Sequence, residues 1–240
     1  MLMWRASLTR IVVFLILLAL ICGCGIGRRL FGKKTPDAAP DVMAKEGIEQ
    51  LRKRDYVDAA ETFTKIKDRY PYSEEATVAQ LKLADTLYYN RKFDEAAAAY
   101  KEFEKLHPSN KAIPYVIYRE ALCYYRQRPT IDRDQTPTEK AMEEFRRLQK
   151  KYPQSEYSSR AEKFKQRCLN DMAEHEFYVG EFYYKTKHFP SALDRFQALS
   201  QEYPDFKSGE VKRYIKDCQY NIDHPEQVEG FISKLFDVKW

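Results

Sequence analysis

The residue with the clearest chemistry in this chain is Cys24. Its thiol stands behind an eleven-residue apolar run, Ile11 to Ile21, which follows two basic residues, Arg5 and Arg10. A basic start, a short apolar core and a small residue, Gly23, before the cut describe a secretory signal peptide. The run falls well under the roughly 20 apolar residues that a membrane-spanning helix needs. Cysteine in the first mature position matches the bacterial lipobox, in which the sulfur is diacylated, the bond after Gly23 is cleaved and the freed amine is acylated. Residues 1–23 are thus expected to leave and Cys24 to carry lipid. The competing reading, an uncleaved anchor, requires a longer helix, which Gly25, Gly27 and Gly32 would interrupt. Gly25, in place of an aspartate, points such a lipoprotein to the outer membrane.

Other reactive constellations are not apparent. The histidines at 107, 175, 188 and 224 show no His-Glu-x-x-His spacing, and the chain has neither Cys-x-x-Cys nor a glycine-rich phosphate loop. Cys168 and His175 lie seven apart and share a helix face, but a pair is two ligands short of a closed zinc site. No enzymatic activity, metal or cofactor is therefore expected. Cys123, Cys168 and Cys218 sit among apolar neighbours in helical patterns, and two readings stay open: three buried thiols, or one disulfide and one free thiol. Loss of Arg5 and Arg10 with the signal peptide lowers the net charge from +5 to about +3. The charges alternate in sign rather than forming a basic stripe, so nucleic acid is not an expected partner.

The elements that must carry any binding surface are legible from a repeat. Ala59, Ala96, Ala141 and Ala192 are each followed four residues later by an aromatic, Phe63, Tyr100, Phe145 and Phe196. Twelve residues after each alanine comes a proline, Pro71, Pro108, Pro153 and Pro204. Upstream, Gly47, Ala84, Ala121 and Gly180 supply a small residue for a first helix. Small residues let two helices approach, the aromatic fills the wedge toward the next pair, and proline ends the second helix. The pattern is that of the tetratricopeptide repeat. It predicts an all-α, right-handed superhelical solenoid of about five repeats, at about 41–72, 73–109, 111–154, 156–205 and 207–237. Residues 24–40 precede it as a lipidated tether, with a span of roughly 20 to 24 Å if flexible. Helices are expected at 41–53, 56–70, 74–90, 93–107, 112–128, 137–151, 156–187, 190–203, 208–222 and 226–236. The last pair lacks the alanine and proline and is either a degenerate repeat or a polar cap.

In the third copy Ala141 arrives eight residues late, so 129–138 form an inserted loop. Thr136-Pro137-Thr138-Glu139 reads as a capping box closing it, with Thr136 as N-cap. Ser73 and Ser155, two residues after a proline, are placed to cap the helices that follow.

The chain resembles the BamD family, the repeat lipoproteins of the β-barrel assembly machinery. The likeness rests on the lipobox, the tether, the repeats, Asp132-Arg133-Asp134-Gln135 before Ala141, Tyr152-Pro153-Gln154-Ser155-Glu156-Tyr157, and the stretch from His175 to Tyr184. His107-Pro108 followed by Tyr115-Val116-Ile117-Tyr118 adds to it. The resemblance implies a non-enzymatic scaffold, lipid-anchored in the outer membrane and facing the periplasm. Its partners would be the periplasmic domains of the barrel-forming insertase, on the C-terminal repeats, and unfolded outer-membrane proteins, on the N-terminal ones. Further lipoproteins of the assembly complex and the membrane itself, through the acyl chains, complete the implied contacts. Repeat architecture alone also suits an envelope adaptor for cell-wall synthesis or division.

Helical spacing selects the residues that would line a concave groove. Tyr115, Tyr118, Leu122 and Tyr125 share one face of the third first-helix, opposite Ile117, Ala121 and Tyr124. Asp85, Tyr88 and Tyr89 occupy the equivalent face of the second. With Arg52 and Arg126 they would form an aromatic trough edged by guanidinium groups, suited to an aromatic C-terminal segment and its carboxylate. The alternative is that these tyrosines pack between neighbouring repeats.

Overall fold

The computed structural model describes residues 38–225. The lipobox, Cys24, the tether as far as residue 37 and the expected helix 226–236 lie outside them. Within them the chain forms α1 (Pro40–Lys53), α2 (Tyr56–Arg69), α3 (Glu74–Tyr89), α4 (Phe93–Leu106) and α5 (Ile113–Arg126), then α6 (Thr136–Lys151), α7 (Glu156–Lys185), α8 (Phe189–Glu202) and α9 (Ser208–Asp223). No strand occurs among the described residues. Each expected helix from 41 to 222 is present, with ends displaced by no more than two residues. Successive helices pack as antiparallel pairs, and the whole is a tetratricopeptide solenoid.

Local chemistry explains the boundaries. The hydroxyl of Ser73 accepts from the Ala76 N–H at 3.1 Å, and that of Ser155 accepts from the Tyr157 N–H at 3.2 Å, so both serines cap as their positions suggest. Three intra-repeat turns share one design. Arg54, Arg91 and Lys187 adopt φ of 69°, 63° and 63°. In each case the next residue's N–H reaches a carbonyl five residues back: Asp55 to Gln50, Lys92 to Leu87 and His188 to Tyr183. These are paired C-terminal caps of the Schellman type, which satisfy the helix-end carbonyls.

The third repeat replaces that turn with the insertion, and here the capping-box reading is corrected. Helix α6 begins at Thr136, and the Thr136 hydroxyl turns back to Asp134 Oδ1 at 2.8 Å instead of capping. The loop is closed by Gln135, which is buried and donates to the Thr130 and Arg133 carbonyls at 3.0 Å each. It accepts from the Thr138 hydroxyl at 2.9 Å. A side-chain amide has two N–H donors and can satisfy both carbonyls while its oxygen accepts a third bond, whereas a hydroxyl has a single donor.

The repeated residues meet as their spacing implies. Ala59, Ala96, Ala141 and Ala192 and the aromatics Phe63, Tyr100, Phe145 and Phe196 are all fully buried. A Cβ at Gly47 would lie 2.8 Å from Phe63 Cε1, and one at Gly180 would lie 2.9 Å from Phe196 Cε1. The glycines therefore exist to admit the ring of the partner helix. We expect Gly180→Val to destabilise the protein by about 2 kcal/mol in urea unfolding, since the added methyls meet a ring held by Phe177 and Tyr214. A variant as stable as the parent would show that Phe196 can move.

Helix α7 is 30 residues long and joins two cores. Its first half packs Ala161 and Cys168 with the cluster built on α3 to α6, and its second half packs Ala173 and Phe177 with α8 and α9. The inserted loop braces the junction, since His175 Nδ1 meets the Ile131 carbonyl at 2.5 Å and Arg128 pairs with Asp171. Cys123, Cys168 and Cys218 are free and buried, and burial pushes their thiols up to about 12, 12 and 11. This resolves the cysteines in favour of three thiols.

Candidate functional site

The length of α7 decides the fate of the expected trough. Helix α5 packs against α4 and α6, and its remaining side meets the first half of α7. Both faces of α5 are thus covered, against the expectation of one inward face. Tyr115 and Tyr118 place their rings 5.5 and 5.6 Å from Tyr157. Tyr125 is buried with its ring 4.8 Å from Phe164, while Tyr124, expected inside, is partly exposed. Several of the tyrosines therefore do pack between neighbouring repeats.

What remains is a polar centre between α3, α4 and α5. Asp85 Oδ1 accepts from the hydroxyls of Tyr100 and Tyr115, each at 2.6 Å, and Oδ2 accepts from Lys82 Nζ at 3.2 Å. Arg119 donates from Nε to the Tyr100 hydroxyl at 3.0 Å, and its Nε is 3.8 Å from Asp85 Oδ1. Its guanidinium carbon sits 3.8 Å from the Tyr88 ring centre and 4.9 Å from that of Tyr89. Arg126 Nε donates to the Tyr88 hydroxyl at 3.1 Å. Tyr89 is 48 % exposed and stacks on Tyr56 of α2, which brings the first repeat to the rim.

Electrostatics follow from that geometry. Burial and the neighbouring Asp85 carboxylate push the Tyr100 and Tyr115 phenols up, so both remain donors. Burial works against the Arg119 charge, but Tyr100, Tyr115 and Asp85 outweigh it and hold the guanidinium above its ordinary range. The Tyr88 hydroxyl does the same for Arg126.

Of the residues selected by spacing, Asp85, Tyr88, Tyr89, Tyr115 and Arg126 come together around this centre. Tyr118 and Tyr125 sit on its α7 side, and Arg52 pairs with Glu49 one turn back on α1 at 3.3 Å. The reading missed Arg119 and Tyr100. Both left a signal: Arg119 follows Tyr115 by four on the same helix face, and Tyr100 is the one tyrosine among the four repeated aromatics. Among the described residues no group of three or more His, Cys, Asp or Glu could hold a metal, and no helix is long and apolar enough to cross a membrane.

Comparison with known proteins agrees with this architecture. The YfiO family model, described as an outer membrane lipoprotein, matches residues 36–224. The outer membrane protein assembly factor BamD of Rickettsia prowazekii (strain Madrid E) is 32 % identical over 185 residues, covering 74 % of this chain and 73 % of that one. BamD of Caulobacter vibrioides is 28 % identical over 164 residues, covering 68 % and 53 %, and that of Vibrio cholerae serotype O1 is 26 % identical over 205 residues, covering 80 % and 82 %. The match spans every helix described above, and the chain belongs to the BamD family of outer membrane lipoproteins.

Proposed function

We propose that this protein is a scaffold for the assembly of outer-membrane proteins, anchored by lipid on Cys24 and facing the periplasm. One observation carries the reading: the family match runs through the whole repeat region rather than over a single repeat. In this reading residues 1–23 are removed, 24–40 tether the solenoid to the bilayer, and the C-terminal repeats hold the periplasmic domains of the barrel-forming insertase. Unfolded substrate chains lie against the N-terminal repeats, over the rim formed by Tyr89, Tyr118 and Arg126 above Asp85, Tyr88, Tyr115 and Tyr125, with Arg52 farther along. Stacked helix pairs suit such work because they present a continuous surface to an extended peptide without a conformational change of their own.

A pull-down of the full lipidated chain in mild detergent tests the partner. Recovery of a large β-barrel protein with tandem periplasmic domains is expected, and depletion of the chain should remove folded porins. Normal porins with a division or cell-wall defect would overturn the reading. The groove is tested by Tyr89→Ala combined with Arg126→Ala, both at accessible positions: binding of a substrate C-terminal peptide should weaken about tenfold. Unchanged binding with the fold intact would remove these residues from the site.

A further inference from the structure

The guanidinium of Arg119 is used only in part. The residue is 8 % exposed, yet Nη2 is buried with no hydrogen-bond partner, the one such side-chain atom among the described residues. Nε is taken by Tyr100, and the rings of Tyr88 and Tyr89 lie against the planar group, which leaves Nη2, at the end of the fork away from the side-chain stem, as the unpaired donor. Buried donors left unpaired are rare in folded proteins and call for a reason.

Stacking of the repeats does not supply one. Between the fourth and fifth repeats the same acid–tyrosine pair recurs: Glu181, one residue after the small Gly180, accepts from the Tyr214 hydroxyl at 2.7 Å, as Asp85 after Ala84 accepts from Tyr115. Four residues beyond Tyr115 stands Arg119, and four beyond Tyr214 stands Cys218, which is fully buried and uncharged. The interface closes there without a buried guanidinium, since Arg213, over the Tyr214 ring, is exposed. The charge balance at Arg119 also leaves room for an anion, since Lys82 and Arg119 both face the single carboxylate of Asp85, and Arg126 adds a further cation on the Tyr88 hydroxyl.

We propose that the Nη1–Nη2 end of Arg119 is a carboxylate subsite, with Tyr89 as the movable cover over it. A carboxylate fits this end because two parallel acceptors match the fork, whereas a single carbonyl satisfies one N–H. The carboxylate belongs to a bound peptide, either its C-terminus or an acidic side chain. The inference rests on the substrate-binding reading above and adds to it which cation receives the charge: Arg119 rather than Arg52 or Arg126.

The test uses the full chain and three synthetic decapeptides ending in phenylalanine: a free acid, its C-terminal amide, and an amide with an internal aspartate. Wild type should bind the free acid about tenfold more tightly than the plain amide. The ratio should fall below about threefold in Arg119→Lys, which keeps the charge beside Asp85 but loses the fork. It should vanish in the double variant Asp85→Asn, Arg119→Gln, which removes both buried charges together. Circular dichroism confirms that each variant is folded. Tight binding of the aspartate-bearing amide, lost in the same variants, assigns the subsite to acidic side chains. If wild type binds acid and amide equally while Tyr89→Ala weakens both, the groove stands and the Arg119 assignment falls. A ratio kept in the Arg119 variants and lost in Arg126→Ala also overturns it. If no peptide binds, both readings fall.

Discussion

Asp85→Ala is expected to destabilise the protein by about 4 kcal/mol, the scale for removing one partner of a buried ion pair. Asp85 and Arg119 are both nearly inaccessible, and the substitution leaves a guanidinium buried with only the Tyr100 hydroxyl as acceptor. It also strands the Tyr100 and Tyr115 hydroxyls, which Asp85 alone accepts from on this side. Tyr100→Phe removes one donor and should cost less, about 1.5 kcal/mol. The informative comparison is Asp85→Leu with Arg119→Met. Because no guanidinium is left buried without its counter-charge, the double variant should regain the share of the loss that Arg119 causes, though not the share from the two stranded hydroxyls, and a double-mutant cycle in urea should show strong coupling. Additive single effects would mean that the two groups do not depend on each other.

Arg147→Ala should cost about 3 kcal/mol at pH 8 and much less at pH 5. Arg147 of α6 holds three carboxylates: Glu104 of α4 by two bonds of 2.8 Å, Glu120 of α5 at 3.2 Å and Glu144 at 2.5 Å. Glu120 is 1 % exposed, and burial, reinforced by Glu144 and Glu104, raises its carboxyl from an ordinary 4.5 to about 7 despite Arg147. A carboxyl with a raised folded pKa favours the folded state fully below its unfolded value, and that contribution is lost as pH rises from about 4.5 through about 7. Without Arg147 the repulsion among three carboxylates is offset only by Lys151 on Glu104 and by the weaker influence of Lys101 on Glu120, so the loss on ionisation deepens. Melting temperatures of parent and variant should therefore converge toward pH 5 and separate toward pH 8. Glu120→Gln checks the source, because it should flatten this dependence in the parent. A pH-independent deficit in Arg147→Ala would assign its role to packing alone.

Much of the fold was legible because its signals are local and periodic. An alanine and an aromatic four apart share a helix face, and a proline after each second helix ends it wherever it occurs, so helices from 40 to 223 could be placed without knowing what they touch. The small residues at Gly47 and Gly180 were readable for the same reason, since only close approach of a ring calls for glycine inside a helix.

The candidate site was legible in part. Spacing picked out Asp85 and Tyr88 on one face of α3 and Tyr115 on the equivalent face of α5, but it assigned Tyr125 to an open trough and overlooked Arg119. Helical periodicity says which side chains share a face and is silent on what covers it. Here the cover is α7, which runs on for 30 residues through the junction of two repeats and so closes the far side of α5.

The amino-acid sequence by itself determined the helices, their pairing and the repeat, because each depends on residues within about one period of one another. Only the tertiary structure decided that a guanidinium is buried at the centre of the second and third repeats with one donor unused. That environment is assembled from Asp85, Tyr88, Tyr100 and Tyr115, on three helices, and the desolvation that makes Arg119 distinctive exists only once those helices have met.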